Sequence, residues 1–134
     1  MHVTRRTLVL AGIALALGLA WSALRLGSRD VGVLRTFDGR GMDLYTTLWV
    51  VDDAGFVWIR ANRPDRRWLS HVQQNPNVEL RRSARQRAYR AMIFDKPEAR
   101  AYVDPLFRAK YGLADRWRAW RDASNTVPIR LEPR

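Results

Sequence analysis

The run "LYTTLWVVDDAGFVWIRA", Leu44 to Ala61, narrows what this chain can fold into more than any other stretch. It is rich in β-branched and aromatic residues, which favour a pleated surface over a helix. Leu44–Val51 is predicted as one strand. "DDAG" (Asp52–Gly55) is predicted as a hairpin connection, with Gly55 supplying a positive φ. Phe56–Ala61 is the return strand. Side chains alternate across a strand, so Tyr45, Thr47 and Trp49 share one face, and Thr46 and Leu48 the other. On the return strand Phe56, Trp58 and Arg60 lie opposite Val57, Ile59 and Ala61. An isolated hairpin is marginal in water, so further strands must complete the sheet.

The rest of the chain supplies them. Val31–Phe37 alternates, and "DGRGMD" (Asp38–Asp43) breaks it with two glycines. Val78–Arg82 and Gln86–Phe94 read as a second hairpin around "SAR". Val127, Ile129 and Leu131 form a last strand. Between these lie helical patterns. Pro64 is suited to open a helix bearing Trp68, Leu69 and Val72, which Asn75-Pro76 ends. His71 falls on its polar side and is expected to be exposed. Asp95 and Glu98 have capping-box spacing, with Asp95 as N-cap, and apolar residues follow at helical spacing to Tyr111. Pro105 predicts a kink or a split there, and Trp117 and Trp120 mark a further short helix. The expectation is an α+β chain: a six-stranded, mostly antiparallel barrel with helices after the third and fifth strands.

A length of 134 residues suits one core, and the absence of cysteine removes disulfides and thiol chemistry. The formal net charge of +11 invites an anionic partner, although only Lys96 and Lys110 among the 24 basic residues are lysines, a bias that GC-rich coding also produces. Thr7–Leu24, "TLVLAGIALALGLAWSAL", is uncharged for 18 residues. A buried core helix would carry a polar stripe, and this segment has none. It is predicted as a single-pass anchor or signal-anchor in the cell membrane, with the lipid bilayer as its partner through residues 7–24. Residues 1–28 are then the anchor and 29–134 the domain. "AWSA" is a weak cleavage site. Arg25, Arg29, Arg35 and Arg40 after the span argue for a cytoplasmic domain, whereas "TRRTLVL" resembles a twin-arginine export signal; the side stays open.

Three segments, "TTLWVVDDAGFVWIR", "RRWLSHVQQNPNVEL" and "YRAMIFD…KYG…VPIRLEP", resemble the flavin-binding split-barrel superfamily. Its members include pyridoxamine-phosphate-oxidase-like proteins and deazaflavin-dependent nitroreductases. The likeness covers most of residues 31 to 134. It implies a split barrel, an FMN or deazaflavin F420 cofactor, two-electron reduction of the nitroreductase or quinone-reductase kind, and a homodimer with the cofactor at the subunit interface. It also implies that the loop after the third strand holds the cofactor phosphate, which suits "RANRPDRR". Helix N-terminal amides attract an anion, and guanidinium forks bind phosphate bidentately. Arg60, Arg66 and Arg67 are the phosphate candidates, with Asn62 as a supporting donor. Tyr45, Thr46, Thr47 and Trp49 are the candidates for the isoalloxazine groove; for Trp49 a place in the core is the alternative, and Trp58 is read as barrel core. "FDGRGMDL" departs from the deazaflavin pattern, because Leu44 stands where a second arginine belongs. FMN, deazaflavin and an empty barrel all remain open.

Other chemistries do not assemble. His71 is the domain's only histidine, so a histidine zinc site is unavailable and no metal is expected. Ser70, Ser83 and Ser124 lack a nucleophile-elbow context, and no Walker-type loop occurs. No catalytic acid or base is named, because a flavin carries the chemistry itself. The rival from another class is a nucleic-acid-binding or membrane-surface basic domain on a cofactor-free barrel. "RRSARQRAYR" (Arg81–Arg90) would meet the phosphates. The arginines are spread over many elements rather than along one stripe, which argues against nucleic acid.

Overall fold

The structure, a computed structural model, describes residues 31–122 and 125–134, without the side chains of residues 120–122. The elements run β1 (Val31–Phe37), β2 (Asp43–Trp49), β3 (Val51–Asp53), β4 (Phe56–Ala61), α1 (Arg67–Gln74), β5 (Asn77–Arg82), β6 (Arg85–Ile93), α2 (Pro97–Tyr111), α3 (Leu113–Asp122) and β7 (Val127–Pro133). One antiparallel sheet of seven strands has the order β2-β1-β5-β6-β7-β4-β3. Its two edge strands are consecutive in sequence and separated by Val50 alone, so the sheet must curl until its ends approach one another. The compact unit spans Val31–Arg134. No helix among the described residues is long and apolar enough to cross a membrane. The predicted anchor, Thr7–Leu24, lies outside them.

The hairpin that opened the sequence reading forms at Ala54-Gly55, whose φ values of 51° and 81° make the tight turn that places Asp53 opposite Phe56. The expected strand Leu44–Val51, however, breaks at Val50, and this makes seven strands where six were expected. Val50 leaves the ladder because α2 supplies other partners. Its N–H donates to the Tyr111 hydroxyl (3.0 Å), and its carbonyl accepts from that hydroxyl (2.9 Å) and from Lys110 Nζ (2.5 Å). The Val50 side chain is fully buried in the barrel. Gly32 makes room for it: a Cβ there would lie 2.7 Å from Leu80 Cδ1 and 2.9 Å from Val50 Cγ2.

Two cores result. Inside the barrel, Leu34, Ile59, Leu80, Ile129 and Leu131 meet Trp68, Leu69 and Val72 of α1. Outside it, Val103, Phe107 and Tyr111 of α2 cover Val51 and Trp58. Trp58 is therefore buried, but under α2 rather than in the barrel.

Helix boundaries correct several expectations. Pro64 lies in a turn and α1 begins at Arg67, with Arg66 as its extended N-cap residue. His71 is buried, not exposed, and its Nδ1 lies 3.4 Å from Thr36 Oγ1 on β1. The α2 N-cap is Lys96, without a side-chain bond, and Pro97 sits in the first turn; Asp95 pairs instead with Arg100 at 2.8 Å. The helix also runs unbroken through Pro105. Ala101, whose carbonyl loses its partner to that proline, is exposed, as is Pro105, so water can take up the carbonyl. The break comes at Gly112 instead, where φ is 54°.

Candidate functional site

The split in the barrel is the natural place for a ligand. Among the described residues β2 pairs with β1 on one side only, and its other edge is open. The β3–β4 register, Val51 opposite Trp58, would if continued bring Trp49 level with Arg60 and Thr47 level with Asn62. β2 and β4 do approach one another, but form no ladder. The open β2 edge and the β4–α1 loop therefore bound one groove.

At the loop end stand Arg66 and Arg67. Both are exposed, and neither has an ion-pair partner among the described residues. The α1 start has no side-chain cap and no acidic residue in its first turn. A helix N-terminus with orphan N–H groups and two adjacent guanidiniums favours an anion. Arg63 turns away to Asp65, with Arg63 Nη2 2.5 Å from Asp65 Oδ2. That hydrogen bond, helped by the charges of Arg63 and Arg66, holds the Asp65 carboxyl below its ordinary value. Asn62 is half-buried beside this loop.

Arg60 does not join them. Its side chain points to the outer face of β4, where α2 and α3 bury it. It bonds Asp104 at 2.8 Å and also Asp115, and its guanidinium lies 4.3 Å from the Phe107 ring centre. Arg118 Nε reaches Asp115 at 3.1 Å, and the Thr126 hydroxyl donates to Asp104. Burial, with the charge of nearby Arg118, lowers the Arg60 pKa from its ordinary value. A guanidinium held by two carboxylates behind a helix cannot serve a phosphate in the loop, so Arg60 leaves the phosphate set.

On β2, Tyr45 and Thr47 are exposed on the outer face, and Thr46 is half-buried on the inner one. Tyr45 stands opposite Arg35, whose guanidinium lies 5.5 Å from its ring centre. Trp49 belongs to neither alternative in full. One face of its indole stacks on Tyr111, with centroids 4.3 Å apart and planes 8° off parallel. It also forms one wall of a cleft of about 330 Å³ lined by Trp49, Ala114, Trp117 and Arg118. Arg118 is buried, and its Nη1 has no hydrogen-bond partner among the described residues. The sequence reading did not single out Arg118, although the i,i+3 spacing of Asp115 and Arg118 was visible. Nothing local showed that α3 would lay them against β4.

No family model matches the chain, and no curated protein resembles it closely enough in sequence to be matched. Solved structures do match. An F420-H2-dependent reductase, FDR-A, superposes with a TM-score of 0.63 at 18% identity, over 78% of this chain and 95% of that one. HutZ, a haem storage protein from Vibrio cholerae, gives 0.65 at 13%, over 84% and 88%. A pyridoxamine 5′-phosphate oxidase-like protein from Listeria innocua gives 0.59 at 15%, over 86% and 93%. The chain shares the split-barrel fold of these structures, the fold that the sequence resemblance implied.

Proposed function

We propose that the chain is a flavin- or deazaflavin-dependent oxidoreductase that reduces a planar acceptor by two electrons. The observation that carries this is the uncapped start of α1, where Arg66 and Arg67 stand without carboxylate partners among the described residues, beside the edge strand β2. In this reading Arg66, Arg67 and Asn62 hold the cofactor phosphate. The β2 edge from Tyr45 to Thr47 receives the ring system through its unpaired backbone groups and the two threonine hydroxyls. When bound, FMN or F420 supplies the hydride chemistry. The chain's own part is to bind, orient and exclude water. The indoles of Trp49 and Trp117 flank a flat acceptor, and Arg118, which lines the same cleft, sets a positive charge beside it. The fold neighbours include F420-dependent reductases, pyridoxamine 5′-phosphate oxidase-like proteins and a domain-swapped dimer, which support a cofactor of this class and a homodimer. Residues 7–24 anchor the chain in the membrane, on the grounds of length and absence of charge.

The test is titration of the chain with FMN and with F420, followed by fluorescence. One of them binds. The Arg66→Ala/Arg67→Ala variant weakens that binding on the order of a hundredfold or more, since charged hydrogen bonds contribute about 1.5–3 kcal/mol each. Arg81→Ala/Arg82→Ala, which removes equal charge from the β5–β6 hairpin, leaves it unchanged. Binding of neither cofactor, or equal losses in both variants, overturns the reading.

A further inference from the structure

The β5–β6 hairpin carries charge that the fold does not use. Its two-residue turn, Ser83-Ala84, is tight, with Ser83 at φ 54° and Arg82 directly opposite Arg85. Arg82 is drawn to Asp52 at 2.8 Å. Arg81, Arg85 and Arg87 are exposed and have no carboxylate partner among the described residues. Arg85 faces Arg82 across the ladder, whereas Arg81 lies opposite Gln86 on one face of the hairpin and Arg87 opposite Leu80 on the other, so the three exposed guanidiniums come together only at its tip. A hairpin that served only the barrel would gain nothing from three exposed arginines there, whereas an anionic surface neutralises them.

Two observations choose that surface. The first is where the chain enters the domain. β1 runs antiparallel to β5 with Val33 opposite Arg81, so Val31 lies level with the Ser83-Ala84 turn. The uncharged run ends at Leu24, and the connector Arg25–Asp30 has six residues, itself with Arg25 and Arg29. Six residues span at most about 20 Å. A chain held in a bilayer by residues 7–24 cannot carry Val31, or the hairpin beside it, farther than that from the headgroups. The second concerns aromatic platforms. Binding of single-stranded nucleic acid combines a basic track with exposed rings on which bases stack. The one ring on this hairpin, Tyr89, is buried, and the Arg87 guanidinium lies 5.7 Å from its centre.

We propose that Arg81, Arg85 and Arg87 dock the barrel on an anionic lipid surface, so that the end where the chain enters faces the headgroups. This rests on the anchor reading of residues 7–24. Trp49 pairs with Val31, and strands lie about 4.8 Å apart, so one wall of the aromatic cleft belongs to the docked end. The acceptor for that cleft would then be one dissolved in the lipid.

The experiment uses the full chain with vesicles of phosphatidylcholine alone or doped with phosphatidylglycerol. It reads vesicle flotation and amide exchange across the hairpin. With phosphatidylglycerol, the amides near Ser83 to Arg87 are protected. Protection disappears with phosphatidylcholine alone, in about 0.5 M salt, where charge is screened within a few ångströms, and in the Arg81→Gln/Arg85→Gln/Arg87→Gln variant. Where the chain binds the doped vesicles without inserting, the triple variant binds on the order of a hundredfold more weakly, and docking stands although the anchor falls. A chain that floats on both vesicles with identical hairpin exchange overturns docking and leaves the anchor intact. Binding of a DNA or RNA oligonucleotide that the triple variant loses, with no lipid effect, overturns it in favour of nucleic acid.

Discussion

Arg60 and Arg66 belong to one short arginine-rich stretch and end in opposite surroundings. Arg60 sits on a strand whose two faces are both covered, one by the barrel core and the other by α2 and α3. A charge placed there must be neutralised, and the chain meets it with Asp104 and Asp115, while Arg118 shares Asp115. The group is two cations with two anions. Arg66 and Arg67 sit where a strand gives way to a helix, and water can solvate them. The buried arginine is bound by its own protein and is no longer free to act. The exposed pair remains available to a ligand. Residue type is the same in both places; what differs is which side of a helix the side chain emerges on.

The contrast can be broken at its buried end first. Arg60→Ala leaves Asp104 without its cation and Asp115 with Arg118 alone, and should cost about 3–5 kcal/mol in denaturant unfolding. A cost below about 1 kcal/mol would mean that the cluster is wet and the contrast false. Next comes Tyr111→Phe, which removes the acceptor for the Val50 N–H while Lys110 still serves the carbonyl. The expected loss is about 1–3 kcal/mol, the penalty of one unsatisfied buried donor. No loss would mean that water fills the corner. Arg66→Ala/Arg67→Ala should change stability by no more than about 0.5 kcal/mol, however strongly it affects cofactor binding. A larger loss would give the loop arginines a structural task. The smallest effect belongs to Asp65, whose folded pKa is held below its unfolded value of 3.8, first by the Arg63 hydrogen bond. Its contribution is present above that value and lost as pH falls through the lower folded one. An NMR titration of the Asp65 carboxyl should give a midpoint below 3.8, and Arg63→Gln should raise it; a midpoint at or above 3.8 in the parent chain would refute the pairing.

Much of the barrel could be read from pattern. Alternation placed Ile59 and Ala61 on one face of β4 and Trp58 and Arg60 on the other, and both turns fell at the small residues expected. The break at Val50 could not be read, because β-branched Val50 looks like any strand residue. It leaves the ladder only because the Tyr111 hydroxyl, far along the chain, offers it both a donor and an acceptor. The same limit explains His71. Polar residues on a helix are expected outside, but α1 closes the barrel, and Thr36 waits on the buried side. Of the candidate site, Arg66, Arg67, Asn62 and the β2 residues stand near the groove, while Arg60 does not.

By itself the sequence determined which stretches are strand and which are helix, though not where each begins or breaks, since periodicity of two or 3.6 is a local property of the backbone. It also determined that charge would be abundant and basic. Only the tertiary structure decided which charges are usable. Whether an arginine meets solvent or a carboxylate depends on what packs over its strand. For Arg60 that cover comes from α2 and α3, more than forty residues further along the chain, at Asp104 and Asp115. No local pattern records that distance, because it is set by how the sheet curls and where the helices come to rest upon it.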